Sequence, residues 1–568
     1  MVHRNPCNAG RQYLFLDVCV RTPMLTRLKP LLATALLASL LAACGAGPEE
    51  AAAPAAGTTP RDGGRLVLGE NGDEPACLDP HQLSTTNTTV VGRPVFDSLL
   101  WQDADGALKP WLATAWKISD DGLTYTFTLR DGVKFHDGSV WNAEALKANL
   151  EHMRDPATKS PLAAAYIAPY EDSEVVDERT LKVRLSSPYS AFLNVLAQSY
   201  LAMISPKQIK EDPGGTCEHP VGSGPFVFEK WTKGQSITYR KNPDYAWGSD
   251  GHTGPAHLDG LEIRFLAEDA TRYNALLAGE VDVIDNTPPA SVEDVKANPD
   301  LSFTSIDRPG HPFSVWLNTG REPFGDPRVR QALTLAVDRQ AIVNSVSFGQ
   351  WKLATGFVTP STPDHAKGLD GRITHDPAKA ARLLDEAGWT AKDKDGVRTK
   401  DGKRLTAIAL DTGVNPQNTQ ILVQTQAAAA KAGIEIKIEN VTAQVSSDRT
   451  AKGDFDLSVG IWTTNTADVL WIQYSSKNIT TGKRRGQNTT RLSDPQLDKL
   501  LEQARAATDD TERAGLYDQA QSRLIDLTPA IPLYNRPSLV SAQKKVHGLA
   551  WDHAYGAVTF LDTWVSSP

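Results

Sequence analysis

Alternation of apolar and polar residues predicts several β-strands in this chain. Leu66–Leu68 follows a pair of glycines and is typical of a buried strand. In Leu123–Leu129, apolar residues alternate with threonines, which is the period of a half-buried strand. An Asp-Gly pair stands on either side of this segment, and Val133–Phe135 continues beyond the second pair, so we predict a hairpin. Leu181–Leu185 alternates in the same way and is predicted to be a further strand.

Three segments with a helical period begin alike. Asp326-Pro327, Asp376-Pro377 and Asp494-Pro495 each place a carboxylate at the N-cap and a proline at the first helical position. Behind them, apolar residues recur at i, i+3, i+4 and i+7, which predicts one core-facing stripe on each helix and, with the strands, an α/β protein. The stripes are Val329/Ala332/Leu333/Ala336, Ala380/Leu383/Leu384/Ala387 and Leu497/Leu500/Leu501/Ala504.

The length and charge of the chain limit its organisation and partners. At 568 residues it exceeds the size of one hydrophobic core, so we expect two or three lobes. The formal charge is -9, and removal of residues 1–43 leaves 54 basic and 67 acidic residues. Because such a surface repels phosphate backbones, we expect no nucleic-acid partner.

The N-terminal region predicts export. Leu31–Leu41 is apolar but too short to span a bilayer, Arg27 and Lys29 precede it, and two alanines and Cys44 follow. This is the layout of a secretory signal, and the cysteine after small residues resembles a bacterial lipobox. We therefore predict a signal peptide over 24–43, lipidation of Cys44 and a lipid anchor as the contact with the membrane. A secretory signal that happens to contain a cysteine is the alternative.

The residues around this signal are interpreted as a tether and an upstream extension. Residues 44–62 are rich in Ala, Pro and Gly without an apolar period, which is typical of a flexible tether. Residues 1–23 fit no part of a signal, whereas the signal is complete from Met24 onward. We predict that translation begins at Met24.

Two cysteines remain for the folded body. Cys7 and Cys19 lie upstream of the predicted start, and Cys44 is assigned to the lipid, which leaves Cys77 and Cys217. In an exported protein two thiols favour one disulfide over two free thiols. There is no CxxC and no nearby His pair, so zinc is not indicated.

Motifs of enzymes and metal sites are missing from the sequence. It contains no GxSxG, HExxH or GxxxxGK[ST], and no nucleophile–base pair is indicated. His252, His257 and Asp259 lie in a Gly/Pro-rich loop, which is interpreted as solvated. The acidic pairs near Asp121 and Asp393 precede glycines and are interpreted as turns. We expect no catalytic residue, no cofactor and no resident metal.

A series of motifs resembles one transport family. PWLATAWKISDDGLTYTFTLRDGVKFHDG (Pro110–Gly138) resembles the family 5 extracellular solute-binding proteins, which serve dipeptide, oligopeptide and nickel importers of the ABC type. Further segments follow in the order of that family through almost the whole mature chain. They are NAEALKANLE (Asn142–Glu151), PVGSGPFVFEKW (Pro220–Trp231), RKNPDYAW (Arg240–Trp247), ALLAGEVDVI (Ala275–Ile284), DPRVRQALTLAVDR (Asp326–Arg339), DPAKAARLLDEAGW (Asp376–Trp389), AGIEIKIE (Ala432–Glu439), SDPQLDKLLEQA (Ser493–Ala504) and PAIPLY (Pro529–Tyr534).

The resemblance implies a periplasmic-binding-protein-like type II fold, with two lobes, a hinge and an extra inserted domain. The hinge is expected at crossovers near 308 and 536, and Cys77 and Cys217 would both lie where the first lobe meets the inserted domain. The implied ranges are 63–108, 220–308 and 536–568 for lobe I, 109–219 for the inserted domain II and 309–535 for lobe III.

The resemblance also implies ligand contacts in lobe III. In peptide-binding members, an aspartate shortly after a tryptophan receives the α-amino group of the peptide. The matching loop here runs from Gly460 to Asp468 and contains Trp462, a residue type suited to the wall of a ligand cleft. Three residues later stands Asn465, which offers no charge pairing, and Asp468 is interpreted mainly as framework. The predicted contacts of this loop are Trp462, Thr463, Thr464, Asn465 and Asp468.

Lobe I is expected to supply the facing contacts. Asn71 and Asp73 follow the first strand, and Ser84, Thr85, Thr86 and Asn87 occupy the place where family members contact ligand. Nickel-binding members use a histidine of the second lobe, whereas 377–546 holds none here.

The resulting hypothesis is a monomeric, lipid-anchored importer subunit for a short peptide or peptide-like solute, with the permease as its partner. The alternatives are a protein for an opine, sugar or metal chelate, and a surface receptor or adhesin.

Overall fold

The computed structural model describes residues 59–72, 74–83, 88–160, 162–482 and 486–566. The predicted start at Met24, the signal peptide and Cys44 lie outside this part of the chain. No helix within the described ranges is both long and apolar enough to cross a membrane.

The β-strands are distributed along the whole described chain. In chain order they are β1 (Arg65–Glu70), β2 (Leu100–Gln102), β3 (Leu108–Pro110), β4 (Ala113–Ile118), β5 (Thr124–Leu129), β6 (Tyr170–Asp177), β7 (Thr180–Leu185), β8 (Phe226–Thr232), β9 (Ser236–Lys241), β10 (Gly260–Phe265), β11 (Val283–Ile284), β12 (Leu301–Asp307), β13 (Gly310–Leu317), β14 (Lys352–Leu353), β15 (Ala391–Lys392), β16 (Arg398–Lys400), β17 (Lys403–Arg404), β18 (Thr406–Asp411), β19 (Glu435–Asn440), β20 (Leu457–Thr463), β21 (Ala530–Asn535), β22 (Pro537–Gln543), β23 (Val546–His547), β24 (Ala550–Asp552), β25 (Ala557–Thr559) and β26 (Trp564–Val565).

The α-helices alternate with these strands, and the longest ones lie in the second half of the chain. They are α1 (Thr88–Gly92), α2 (Ala143–Arg154), α3 (Ala163–Tyr166), α4 (Phe192–Val195), α5 (Pro206–Glu211), α6 (Asp269–Leu277), α7 (Val292–Ala297), α8 (Pro327–Ala336), α9 (Arg339–Ser347), α10 (Pro377–Glu386), α11 (Pro416–Ala432), α12 (Ala443–Lys452), α13 (Val469–Tyr474), α14 (Pro495–Ala506) and α15 (Asp510–Leu527).

The helix starts predicted from Asp-Pro are confirmed. Asp326, Asp376 and Asp494 each accept a hydrogen bond, 2.8 or 2.9 Å long, from a backbone N–H two or three residues further on. Proline needs no partner at the first helical position because its nitrogen carries no hydrogen. The stripes behind these caps are buried apart from Leu383 and Leu500, which are half-buried.

Three large sheets organise the structure. A seven-stranded sheet has the order β12-β22-β11-β1-β10-β9-β8, and a six-stranded sheet has the order β14-β21-β13-β20-β18-β19. The four-stranded sheet β4-β5-β7-β6 is antiparallel throughout. The strands of the seven-stranded sheet come from separate stretches of the chain, whereas all strands of the six-stranded sheet lie between 310 and 535.

The predicted hairpin is corrected by the strand pairing. β5 pairs with β4 before it and with β7 more than fifty residues later, whereas Val133–Phe135 forms no named strand and Lys134 makes only an isolated bridge to Val140. The β5–β7 register places the buried Phe127 opposite the buried Leu181. Burial of this apolar pair outweighs the local turn signal, which cannot report a distant strand.

The chain passes between the two largest sheets at two places. β12 ends at Asp307 in one sheet and β13 begins at Gly310 in the other; β21 ends at Asn535 and β22 begins at Pro537. Both connections lie at the predicted crossover positions near 308 and 536. The domain boundaries themselves stay predictions.

Candidate ligand cleft

One wall of the candidate cleft is the end of β20. Residue pairs Gly310–Thr463 and His311–Trp462 join β20 to β13 immediately after the first crossover. Gly310 has a φ of +114°, and a Cβ at this position would lie 2.3 Å from the carbonyl oxygen of Trp462. Only glycine allows this close approach, which fixes Trp462 beside the crossover.

Trp462 faces a residue from another part of the fold. Its indole is half-buried, and Nε1 donates a hydrogen bond to the hydroxyl of Tyr166 at 3.3 Å. Tyr166 is the last residue of α3 and is buried. The exposed part of the indole is a flat apolar surface, and its contact with a solute stays a prediction.

Asn465 is fully occupied by hydrogen bonds across the cleft. Its Nδ2 donates to Oε1 of Gln102 at 2.5 Å and to the carbonyl oxygen of Asn194 at 2.7 Å, and its Oδ1 accepts from Nε2 of Gln198 at 2.6 Å. Its side chain has no exposed surface. The predicted contact Asn465 therefore bridges the six-stranded-sheet region to the rest of the body.

Gln198 is a central partner in this network. Its Nε2 also donates to Oγ1 of the buried Thr464 at 2.9 Å. Its Oε1 is buried and has no hydrogen-bond partner within the part of the chain that the structure describes. A buried acceptor without a partner is unfavourable by about 1–3 kcal/mol, so this oxygen favours a donor from outside the protein.

Asp468 lies in a buried ion pair and not on the open cleft wall. Its Oδ1 is 3.0 Å from Nε of Arg505, and its Oδ2 accepts from the hydroxyl of Tyr189 at 3.2 Å. Burial raises the pKa of Asp468 to about 6, against the lowering effect of Arg505. The guanidinium of Arg505 also lies 3.8 Å from the ring centre of Trp471. This arrangement suits the framework interpretation; a role toward ligand stays a prediction.

The facing wall carries carboxylates beside the first strand. Asn71 follows β1 and is half-buried, and its backbone N–H donates to Oδ1 of Asp285 at 2.9 Å. Burial raises the pKa of Glu70 well above its usual range, and nearby Asp285 raises it further. Burial also raises the pKa of Asp285, opposed by Arg272 and Arg308.

Arg308 lies at the first crossover and lines a small cavity with Glu70, Asn71 and Tyr555. Burial lowers its pKa to about 10. Its Nε donates to Oγ of Ser538 at 2.7 Å, so it links the two crossover regions. Burial raises the pKa of the Tyr555 hydroxyl, and the nearby side chain of Thr463 lowers it by a smaller amount, so the end of β20 lies close to this cavity.

Comparisons with known proteins agree with this architecture. The model of the bacterial extracellular solute-binding proteins, family 5 Middle, matches residues 107–481. The chain belongs to family 5 of these solute-binding proteins. The family serves ABC importers.

Two solved structures and one curated relative illustrate the range of ligands. The glutathione-binding protein GsiB of Salmonella typhi is 32% identical over 477 residues, which are 82% of this chain and 88% of that protein. AgaA from A. tumefaciens R10, in complex with agropinic acid, is 28% identical with a TM-score of 0.73, covering 89% of this chain and 99% of its own. NikA from Brucella suis, in complex with Fe(III)-EDTA, is 26% identical with a TM-score of 0.78, covering 89% and 100%.

Some predicted positions of this solute-binding protein have no structural description. Asp73, Ser84, Thr85, Thr86 and Asn87 lie outside the described residues. Their role toward ligand stays a prediction.

The predicted disulfide is confirmed. Cys77 and Cys217 are bonded, with their Cα atoms 4.3 Å apart. The backbone N–H of Leu78 also donates to the carbonyl oxygen of Cys217 at 2.9 Å. The bridge therefore ties the segment after β1 to the segment before β8.

Most residues of the candidate cleft that lie outside β20 were not predicted from the sequence. Gln102, Tyr166, Arg308 and Tyr555 stand in no motif that marks a site. Gln198 had a weak signal, since it is a polar residue directly after the mainly apolar run 191–197.

Proposed function

We propose that this protein is the lipid-anchored substrate-binding subunit of an ABC importer and captures a short peptide or peptide-like solute by hinge closure. It then delivers the solute to the permease. The protein acts as a monomer, and the diacylglycerol on Cys44 holds it at the outer face of the cell membrane.

Hinge closure is supported by the two crossovers. Within the described ranges, only two short connections, near 308 and 536, join the two largest sheets along the chain. Rotation about these connections would separate Asn465 from Gln198 and Gln102 without breaking either sheet. A ligand that contacts both walls favours the closed form because only there are all its contacts made.

Oε1 of Gln198, which has no hydrogen-bond partner among the described residues, is the observation that favours a peptide-like solute. This buried acceptor lies in a network of neutral amides with Asn465 and Gln102. An N–H of a peptide group would satisfy it without a buried charge. Asp468 is paired with Arg505, so a solute amine would have to use the carboxylates beside β1.

A non-peptide solute is the second candidate. AgaA holds agropinic acid and NikA holds Fe(III)-EDTA in solved structures similar to this chain. Arg308 beside the cavity could pair with a solute carboxylate. Native mass spectrometry of protein purified without denaturation would separate the candidates by the mass of any copurified solute.

Trp462→Ala tests the proposed cleft. We expect thermal-shift screening of the wild type to identify a peptide-like ligand, and the variant to bind it at least ~10-fold more weakly, or ~1.4 kcal/mol, through loss of the stacking surface. The melting temperature without ligand should change little. Trp389→Ala is the matched control, because this half-buried indole lies beneath the ammonium of Lys400 and neither residue is assigned to the cleft.

Two results would contradict this interpretation. If Trp462→Ala unfolds the protein, the indole belongs to the core. If X-ray scattering gives the same profile with and without a bound ligand, closure does not occur.

A further inference from the structure

Three potential metal ligands converge beside the disulfide-bonded Cys77. Nδ1 of His81 and Nδ1 of His152 are 2.9 Å apart, and one donor atom of each of Asp79, His81 and His152 lies within 4.8 Å of the others. Asp79 and His81 have no exposed surface, and His152 is 9% exposed. His152 stands in the last turn of α2, so residues 71 positions apart meet here.

A hydrogen bond to the backbone leaves one ring nitrogen of His81 free to bind a metal. Its Nε2 lies 2.9 Å from the carbonyl oxygen of Ala202. Because a carbonyl oxygen only accepts hydrogen bonds, Nε2 carries the proton and Nδ1 presents a lone pair toward His152. A metal-bound histidine usually donates the N–H of its other ring nitrogen to a group such as a backbone carbonyl, and this bond orients the ring.

The carboxylate of Asp79 is held in place as well. Its Oδ1 accepts from the backbone N–H of His81 at 2.8 Å, and its Oδ2 accepts from Nε2 of Gln82 at 2.9 Å. Each oxygen keeps a further lone pair. The disulfide at Cys77 fixes the segment that carries both Asp79 and His81.

The contact between the two rings fixes their tautomers. Because Nδ1 of His81 presents a lone pair, Nδ1–H of His152 donates to it when no metal is bound. With a metal, that proton would reside on Nε2 of His152.

We propose that Asp79, His81 and His152 form a binding site for a divalent transition metal of the Zn²⁺ class. Two imidazole nitrogens and one carboxylate oxygen are a ligand set that Zn²⁺ accepts, with water in the fourth position. Zn–N bonds of about 2.0–2.1 Å in a tetrahedron place the nitrogens ~3.3 Å apart, so the rings need to separate only slightly. Nitrogen ligands disfavour Ca²⁺ and Mg²⁺.

The bound cation would link α2 to the segment after β1, beside the disulfide. None of Asp79, His81 and His152 is among the residues assigned to the solute cleft, so this proposal does not depend on the identity of the solute. No local motif predicts this site, because the two histidines are 71 positions apart along the chain.

The test uses the untagged mature chain, dialysed against EDTA and then titrated with Zn²⁺ or Co²⁺. We expect one equivalent to bind, a rise in melting temperature, and visible Co²⁺ absorption of a low-coordinate N/O site without a thiolate band. His152→Gln should weaken Zn²⁺ binding at least ~100-fold, and His81→Gln likewise. His375→Gln is the control, because this exposed histidine lies outside the cluster and should leave binding unchanged.

The proposal is overturned if the wild type binds no stoichiometric Zn²⁺, in which case the two rings form a neutral hydrogen bond only. It is equally overturned if His152→Gln binds Zn²⁺ as tightly as the wild type. Should His81→Gln fail to fold, the wild-type Co²⁺ spectrum and the His152→Gln titration still decide the outcome.

Discussion

Asn465→Asp probes the contact that closes the candidate cleft. The two side chains have almost the same shape, but aspartate places an oxygen where Nδ2 now donates to Gln102 and Asn194. That oxygen would face two acceptor oxygens at 2.5 and 2.7 Å. The bond from Gln198 to Oδ1 would be retained.

The loss of stability of the closed form in Asn465→Asp can be worked out from the protonation of the new carboxyl. An ionised carboxylate in this buried position is unfavourable by several kcal/mol. Protonation limits the loss: holding a carboxyl with an ordinary pKa near 3.9 protonated at pH 7 costs about 4 kcal/mol, at 1.36 kcal/mol per unit. The proton restores one of the two bonds, and the other is lost for about 1 kcal/mol. A loss of ~5 kcal/mol should exceed the preference for the closed form.

The assay is small-angle scattering and thermal unfolding of the unliganded protein at pH 7 and at pH 4.5. At pH 7 we expect Asn465→Asp to have a larger radius of gyration than the wild type. The closed form raises the pKa of the new carboxyl, so closure is favoured as pH falls through that raised value. The difference should therefore shrink at pH 4.5. Asn344→Asp, on the exposed face of α9, is the control for an added charge.

Equal scattering profiles for Asn465→Asp and wild type at pH 7 would refute the reasoning. The hydrogen bonds of Asn465 would then not hold the two walls together.

Three further predictions concern the bridge, the buried ion pair and the anchor. Replacing Cys77 and Cys217 by alanine opens a loop of 140 residues. In the chain-entropy model this should lower the free energy of unfolding by up to ~5 kcal/mol. Guanidinium titration without reductant measures the change, and an unchanged unfolding midpoint would contradict the prediction. Burial raises the pKa of Asp468 from 3.8 to about 6, so its contribution to stability is full below pH 4 and is lost as the pH rises to 6. Over this range the free energy of unfolding of the wild type should fall by up to ~3 kcal/mol relative to that of Asp468→Asn. Parallel pH profiles of the two proteins would exclude the effect. Cys44→Ala should abolish incorporation of labelled palmitate and release the protein from the membrane, whereas labelling that persists would place the lipid elsewhere.

Local signals were sufficient for much of the secondary structure. The caps at Asp326, Asp376 and Asp494 bind backbone groups within three residues, so the sequence alone contains both partners. The alternating strand after Leu123 was found for the same reason, because its period is local.

The candidate site was predictable only on one side. The family motifs indicated the loop with Trp462 and Asn465, and counting thiols indicated the bridge between Cys77 and Cys217. The partners of Asn465 could not be found in this way, since Gln198 is 267 residues away.

The sequence by itself determined the fold family, the helix caps and the disulfide pairing, because each depends on short motifs or on a count; the export signal stays a prediction. Only the tertiary structure decided that β5 pairs with β7, that Asp468 is paired with Arg505, and that His81 meets His152. The physical reason is that burial and hydrogen bonding act between neighbours in space. Residues separated by tens or hundreds of positions become neighbours only when the sheets and helices pack.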